Sequence, residues 1–170
     1  MRHRFGDVGD LYELTIKQKI MSTFTIPNVS GLPVSFRKDN TIYGNVTLLG
    51  QVTCYNEQAD DNDDDNDHHH HKPKKNILYI VAKVHIDCSG YEYTARSPIQ
   101  VRVSGKTKSG NDISGNANEL SNGLLIKPGN NNTDHEFVFQ CEDRFSGGIA
   151  SELVQVRFSF IYDAAAWSPC

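Results

Sequence analysis

Asp60-Asp61-Asn62-Asp63-Asp64-Asp65-Asn66-Asp67 runs directly into His68-His69-His70-His71, so six carboxylates adjoin four imidazoles. Carboxylates suit hard cations, and neutral imidazoles suit Zn²⁺, Ni²⁺ or Cu²⁺. Asp63, Asp65, Asp67, His68, His69, His70 and His71 are therefore the candidate metal ligands. An EF-hand loop does not fit them. A frame starting at Asp61 has Asn66 where the turn glycine belongs and Lys72 where the bidentate glutamate belongs. Adjacent histidines on a polar stretch chelate by chance geometry, so the expectation is a solvated low-complexity insert at 56–76, with adventitious divalent metal at most and no resident cofactor. Imidazoles titrating near pH ~6.5 also allow the charge of this segment to change across the physiological range.

Other chemistry-bearing residues are scattered. His85 and Asp87 sit two apart on one alternating run, which places them on the same strand face, where an acid/base pair or plain solvent exposure are the two readings. Gly105-Lys106-Thr107 has the ending of a phosphate-binding loop, but the glycine required five residues earlier is Gln100. His135-Glu136 is followed by Phe139 where a zinc protease needs histidine, and neither GxSxG nor GxGxxG occurs. No enzyme is expected.

Cys54, Cys88, Cys141 and Cys170 contain no CxxC and no close pair, which excludes a zinc ribbon and a thioredoxin-like motif. The first three fall on the apolar phase of their runs, so they read as buried thiols, with a disulfide or a metal site as the other options. Trp167 follows three alanines and is expected to pack the tail onto the body; a carbohydrate-stacking platform is the competing use. Three Asn-X-Ser/Thr sequons occur, at Asn28, Asn45 and Asn131.

The 170-residue chain carries 17 basic and 21 acidic residues, a net charge of −4. Segment 56–75 alone holds that excess, leaving the rest of the chain neutral. A neutral body with an acidic insert lacks the basic stripe that nucleic acid or an anionic membrane demands, so neither is an expected partner. No apolar run approaches the ~18 residues of a membrane span, and 1–20 lacks a signal-peptide apolar core, which favours a cytoplasmic or particle-associated location.

The elements that must carry these residues alternate with period two. Leu78, Ile80, Ala82, Val84, Ile86 and Cys88 make one apolar face, and Val154, Val156, Phe158, Phe160 and Tyr162 make another. Phe137, Phe139 and Cys141, then Val46, Leu48, Val52 and Cys54, then Ile99, Val101 and Val103 supply three more. Asp39-Asn40, between 34–36 and the run 41–55, Ser89-Gly90, at the two-residue spacing of a tight hairpin, Asn122-Gly123, Pro128-Gly129 and Ser146-Gly147-Gly148 punctuate them as turns. At the N-terminus Asp10 and Glu13 fit a capping box, with Tyr12, Ile16 and Ile20 on one face. The prediction is all-β: a single antiparallel β-sandwich over 22–170, immunoglobulin-like or jelly-roll-like, with about seven to nine strands. A short arm or helix over 1–21 precedes it, and 56–76 and 104–122 are long loops.

Residues 124–162, with the Lys127-Pro128-Gly129 turn, Phe137-Val138-Phe139 and the final run 154–160, resemble the closing strands of immunoglobulin-like sandwiches, an outline shared by viral coat proteins and by adhesion modules. The resemblance covers under a quarter of the chain and implies no activity. The functional expectation is a non-enzymatic structural or protein-interaction domain that binds protein, its own copies included, as a subunit of an assembly such as a viral particle or coat. The alternative is a ligand-binding module for carbohydrate or divalent metal that uses 56–76 and 104–122.

Overall fold

The computed structural model describes residues 22–58, 76–117, 123–142 and 149–170. Within them the chain is all-β, with one 3-10 turn at Ala150–Glu152 and no α-helix. The strands are β1 (Thr23–Thr25), β2 (Asn28–Ser30), β3 (Val34–Lys38), β4 (Thr41–Leu48), β5 (Thr53–Gln58), β6 (Asn76–Asp87), β7 (Tyr91–Tyr93), β8 (Gln100–Thr107), β9 (Asp112–Ala117), β10 (Asn132–Glu142), β11 (Leu153–Ile161) and β12 (Trp167–Pro169).

Ten of these form one sheet in the order β1-β5-β6-β10-β9-β8-β11-β2, with β4 also on β6 and β3 on β4. The long strand β6 organises it. Antiparallel β10 lines one edge, while β5 and β4 share the other, β5 at the start of β6 and β4 at its end. Its alternation explains this: Leu78, Ile80, Ala82, Val84 and Ile86 are all buried, so β6 presents a continuous apolar stripe to the core. The sheet curls into a half-barrel. β9 and β8 separate β10 from β11 in the order, yet Phe139 and Phe158 meet at 5.5 Å and Phe137 and Phe160 at 6.1 Å. Only a strongly bent sheet brings those inner faces together.

The ends of the strand order are adjacent in the chain. β1 pairs antiparallel with β5, and β2 pairs parallel with β11, with only Ile26-Pro27 between them. Pro27 has no N–H with which to continue a ladder, and buried Ile26 donates its N–H to the Val52 carbonyl at 2.9 Å. One short segment thus spans from one end of the curled sheet to the other.

The expected architecture needs correcting in several places. The sheet is mixed, not antiparallel, because β2 runs alongside β11. Twelve strands exceed the expected seven to nine. β1, β2, β7 and β12 have three residues each, too short to show alternation, and the run 41–55 breaks into β4 and β5 where Gly50 takes φ +76°. Ser89-Gly90 turns the chain but makes no hairpin: β7 leaves β6 and pairs with β12. The supposed loop 104–122 begins as strand, with β8 reaching Thr107 and β9 starting at Asp112. Likewise 56–58 belong to β5 and Asn76 opens β6. In β11 a bulge between Leu153 and Gln155 turns Leu153 into the core and leaves Val154 half-buried, which shifts the expected phase by one at that end. The arm or helix over 1–21 lies outside the described residues.

Trp167 is buried, as expected of a residue that anchors the tail. It stacks on Tyr43 at 5.4 Å, lies 5.2 Å from Phe36 and meets Tyr93 edge-on at 5.0 Å. An indole so enclosed is no carbohydrate platform.

Candidate functional site

The face of β6 that points away from the core carries the polar chemistry. His85 and Asp87 share it as expected, but Asp87 is not the partner of His85. That partner is Asp134, directly opposite on β10, with Nδ1 and Oδ1 2.6 Å apart. Asp87 instead accepts hydrogen bonds from the Ser89 N–H at 3.2 Å and hydroxyl at 2.8 Å, which hold its carboxyl below the usual range. Thr47 lies opposite His85 on β4, so an acid, an imidazole and a hydroxyl form one row across three strands. A nucleophilic triad needs that row in a water-excluded site. Here the side chains of Asp134 and His85 are 73 % and 38 % exposed, so solvent screens the pair.

The hydrogen bond to Asp134 raises the pKa of His85. His135, next along β10, is lowered by burial against the opposing pull of Glu136, with the Phe137 ring at 4.8 Å. The signs of their linkage to folding are opposite. Stability from His85 is present below the unfolded pKa of about 6.5 and is lost as pH rises through its raised value. Stability from His135 is present above about 6.5 and is lost as pH falls through its lowered value. An NMR titration of the ring protons is expected to put the His85 midpoint above that of His135, and Asp134→Asn is expected to lower the first alone. A reversed order would contradict the pairing.

The outward phase of the same strands is not wholly polar. Tyr55 and Tyr79 are cross-strand neighbours that stack at 5.1 Å and 19°, and the half-buried Ile77, Val81 and Val138 adjoin them. Burial raises both tyrosine pKa values, and Glu57 raises them further; Glu136 adds to the effect on Tyr55. Sequence reasoning passed over this patch because it followed the inward phase. Its signal was visible in Tyr79, Val81 and Val138, aromatic and β-branched residues standing where the alternation calls for polar ones.

The thiols read as expected. Cys54, Cys88 and Cys141 are buried and unpaired, and Cys170 is exposed. Cys54 faces Ile80 and Cys141 faces Leu78 from opposite sides of β6. Two strand spacings make about 10 Å, beyond the ~7 Å Cα separation that a disulfide spans. Burial pushes Cys54 up to about 11 and both Cys88 and Cys141 up to about 12. These are inert thiols. A thiol reagent is expected to label one cysteine, Cys170, in the native protein and all four after unfolding; fast native labelling of a second would place a thiol outside the core. Among the sequons, the Asn131 amide is committed to structure, donating to the Tyr91 carbonyl at 3.0 Å and to the Cys88 carbonyl at 3.4 Å.

The metal candidates Asp63, Asp65, Asp67, His68, His69, His70 and His71 lie outside the described residues. Among the described residues no group of three or more His, Cys, Asp or Glu side chains is arranged to hold a metal ion, and no helix is long and apolar enough to cross a membrane. The chain matches no family model, no curated protein and no solved structure.

Proposed function

We propose that the chain is a non-enzymatic structural or protein-interaction domain that works through its outer faces as a subunit of a larger assembly. The observation that carries this reading is the Tyr55–Tyr79 stack with Ile77, Val81 and Val138 on the solvent side of β5, β6 and β10. Aromatic and aliphatic side chains grouped on an outer face mark a contact surface. The acid/base pair on the same face is solvated, and the three core thiols are deprived of reactivity by burial, so neither favours catalysis. In finer detail we read the two halves of the curled sheet as the layers of an immunoglobulin-like sandwich, β6–β10 against β8–β11, with 23–30 crossing between them. The ring contacts across the core support that arrangement.

Sedimentation of the full chain over a concentration series tests the proposal. The expected weight-average mass rises above the 19.0 kDa monomer, and Val81→Ser/Val138→Ser reduces the rise without lowering the melting temperature by more than a few degrees. A chain that stays monomeric, and whose melting temperature rises with Ca²⁺, Zn²⁺ or glycans, would favour the ligand-binding alternative instead.

A further inference from the structure

We propose that the outer face of β8 and β11 docks the Tyr55–Tyr79 face of a second copy of this chain, so that copies associate head to tail; this rests on the interaction-face reading above. Outside 56–75 the sequence is electrically neutral, but the fold sorts its charges by face. Among the described residues, the outer side of β9, β8 and β11 carries Arg102, Lys106 and Arg157, with one carboxylate, Asp112, 3.9 Å from Lys106. Arg102 lies opposite Ser159 and Arg157 opposite Ser104, so the two arginines are diagonal neighbours, their backbones about 7–8 Å apart. Arg102 donates to the Gln100 side chain at 3.0 Å.

On the outer side of β5, β6 and β10 the balance is reversed. Glu57, Asp87, Asp134 and Glu136 face solvent with Lys83 and His85, and Arg37 and Lys38 lie on the β3–β4 hairpin beyond the end of β6. The stacked tyrosine pair lies on this acidic face toward the start of β6, next to Glu57 and within electrostatic reach of Glu136. An aromatic surface flanked by carboxylates is the surface a guanidinium recognises best, because the cation stacks on the ring while its N–H fork meets the oxygens. The same chain carries two arginines on its other face.

The core contacts between Phe139 and Phe158 and between Phe137 and Phe160 put the inner sides of β10 and β11 face to face. Their outer sides therefore point in opposing directions. A contact between unlike faces on opposite sides of a molecule is heterologous and propagates from copy to copy. Three strands by six residues give each face roughly 300 Å², or roughly 600 Å² in total, below the range of stable complexes. The association is consequently weak and reversible, and it is driven by charges that salt screens.

Sedimentation velocity with charge-reversed full-length variants tests the pairing. At low ionic strength the wild-type mass is expected to climb with concentration to at least twice that of the monomer, and to return to the monomer at about 0.5 M salt, where the Debye length is only a few ångströms. Arg102→Glu/Arg157→Glu carries two acidic faces and Glu57→Arg/Glu136→Arg two basic ones, so each alone is expected to stay monomeric while an equimolar mixture associates. A mixture that remains monomeric overturns the proposal. Wild-type association that is lost in Val81→Ser/Val138→Ser but unmoved by salt and by both reversals overturns it too, and leaves the interaction-face reading standing. A monomeric wild type that binds heparin or duplex DNA, with binding lost in Arg102→Glu/Arg157→Glu, also overturns it and makes the basic face a polyanion site.

Discussion

Phe36→Ala is expected to cost about 3–5 kcal/mol of folding stability. Phe36 is fully buried and meets Phe160 edge-on at 5.9 Å, Tyr162 edge-on at 5.0 Å and Trp167 at 5.2 Å. It is where β3 reaches across to the end of β11 and to β12, elements that share no ladder with it. Truncation removes the transfer energy of the ring and leaves a cavity walled by three aromatic rings, which a neighbouring side chain cannot collapse into without losing its own contacts. A domain of this size is stable by about 5–15 kcal/mol, so the variant sits close to unfolding at physiological temperature. Urea denaturation measures this: the midpoint falls and the slope stays constant. A loss below about 1 kcal/mol would mean that β3 does not pack on the core.

Gly31→Ala is expected to release β2 from β11. Gly31 takes φ +90°, and a Cβ there would stand 2.1 Å from the Phe158 carbonyl oxygen and 2.8 Å from its nitrogen. Both obstacles are backbone atoms in the middle of β11, and neither can rotate aside. The left-handed conformation alone costs a side-chain-bearing residue about 1–2 kcal/mol. The clash adds to that whatever is needed to lift the 28–31 segment off the sheet. Gly50→Ala is the control, because Gly50 has φ +76° with nothing near its added Cβ and so reports the dihedral cost by itself. Gly31→Ala is expected to exceed the control by at least about 2 kcal/mol and to speed hydrogen exchange of the amides in the β2–β11 ladder. Equal losses at the two glycines would show that the approach to Phe158 is looser than the geometry requires.

The inward side of the molecule was legible in the sequence because burial imposes a period that side chains record. The alternate residues from Leu78 to Cys88 are all in the core, and so are Phe137, Phe139 and Cys141. Pairing partners left no such record. Nothing in the residues 23–30 tells that Phe24 pairs with Cys54 while Val29 runs parallel to Val156, since a three-residue strand has too few positions to show a face and the selection is made by tertiary contacts. Ser89-Gly90 looked like a hairpin because the turn chemistry is local, whereas the aromatic contact between Tyr93 and Trp167 that takes β7 to β12 spans 74 positions of sequence. The His85–Asp134 pair was hidden for the same reason: Asp87 is its neighbour in sequence, and Asp134 its neighbour in register. Charge sorting was invisible to a net count, because Arg102 and Arg157 balance Asp134 and Glu136 in the sum and stand on the other side of the core in space.

The two outer faces depend on 22–30 holding the two ends of the curled sheet, since that segment pairs with β5 at one end and β11 at the other and leaves the tyrosine and arginine faces on the outside. The most direct measurement is a set of cross-strand NOEs on the full chain in high salt. The expected spectrum contains contacts between Phe24 and Cys54 in antiparallel register together with contacts between Val29 and Val156 in parallel register, in one monomeric species. A spectrum in which 23–30 runs as a single continuous strand along β5, with no contact to β11, would contradict it.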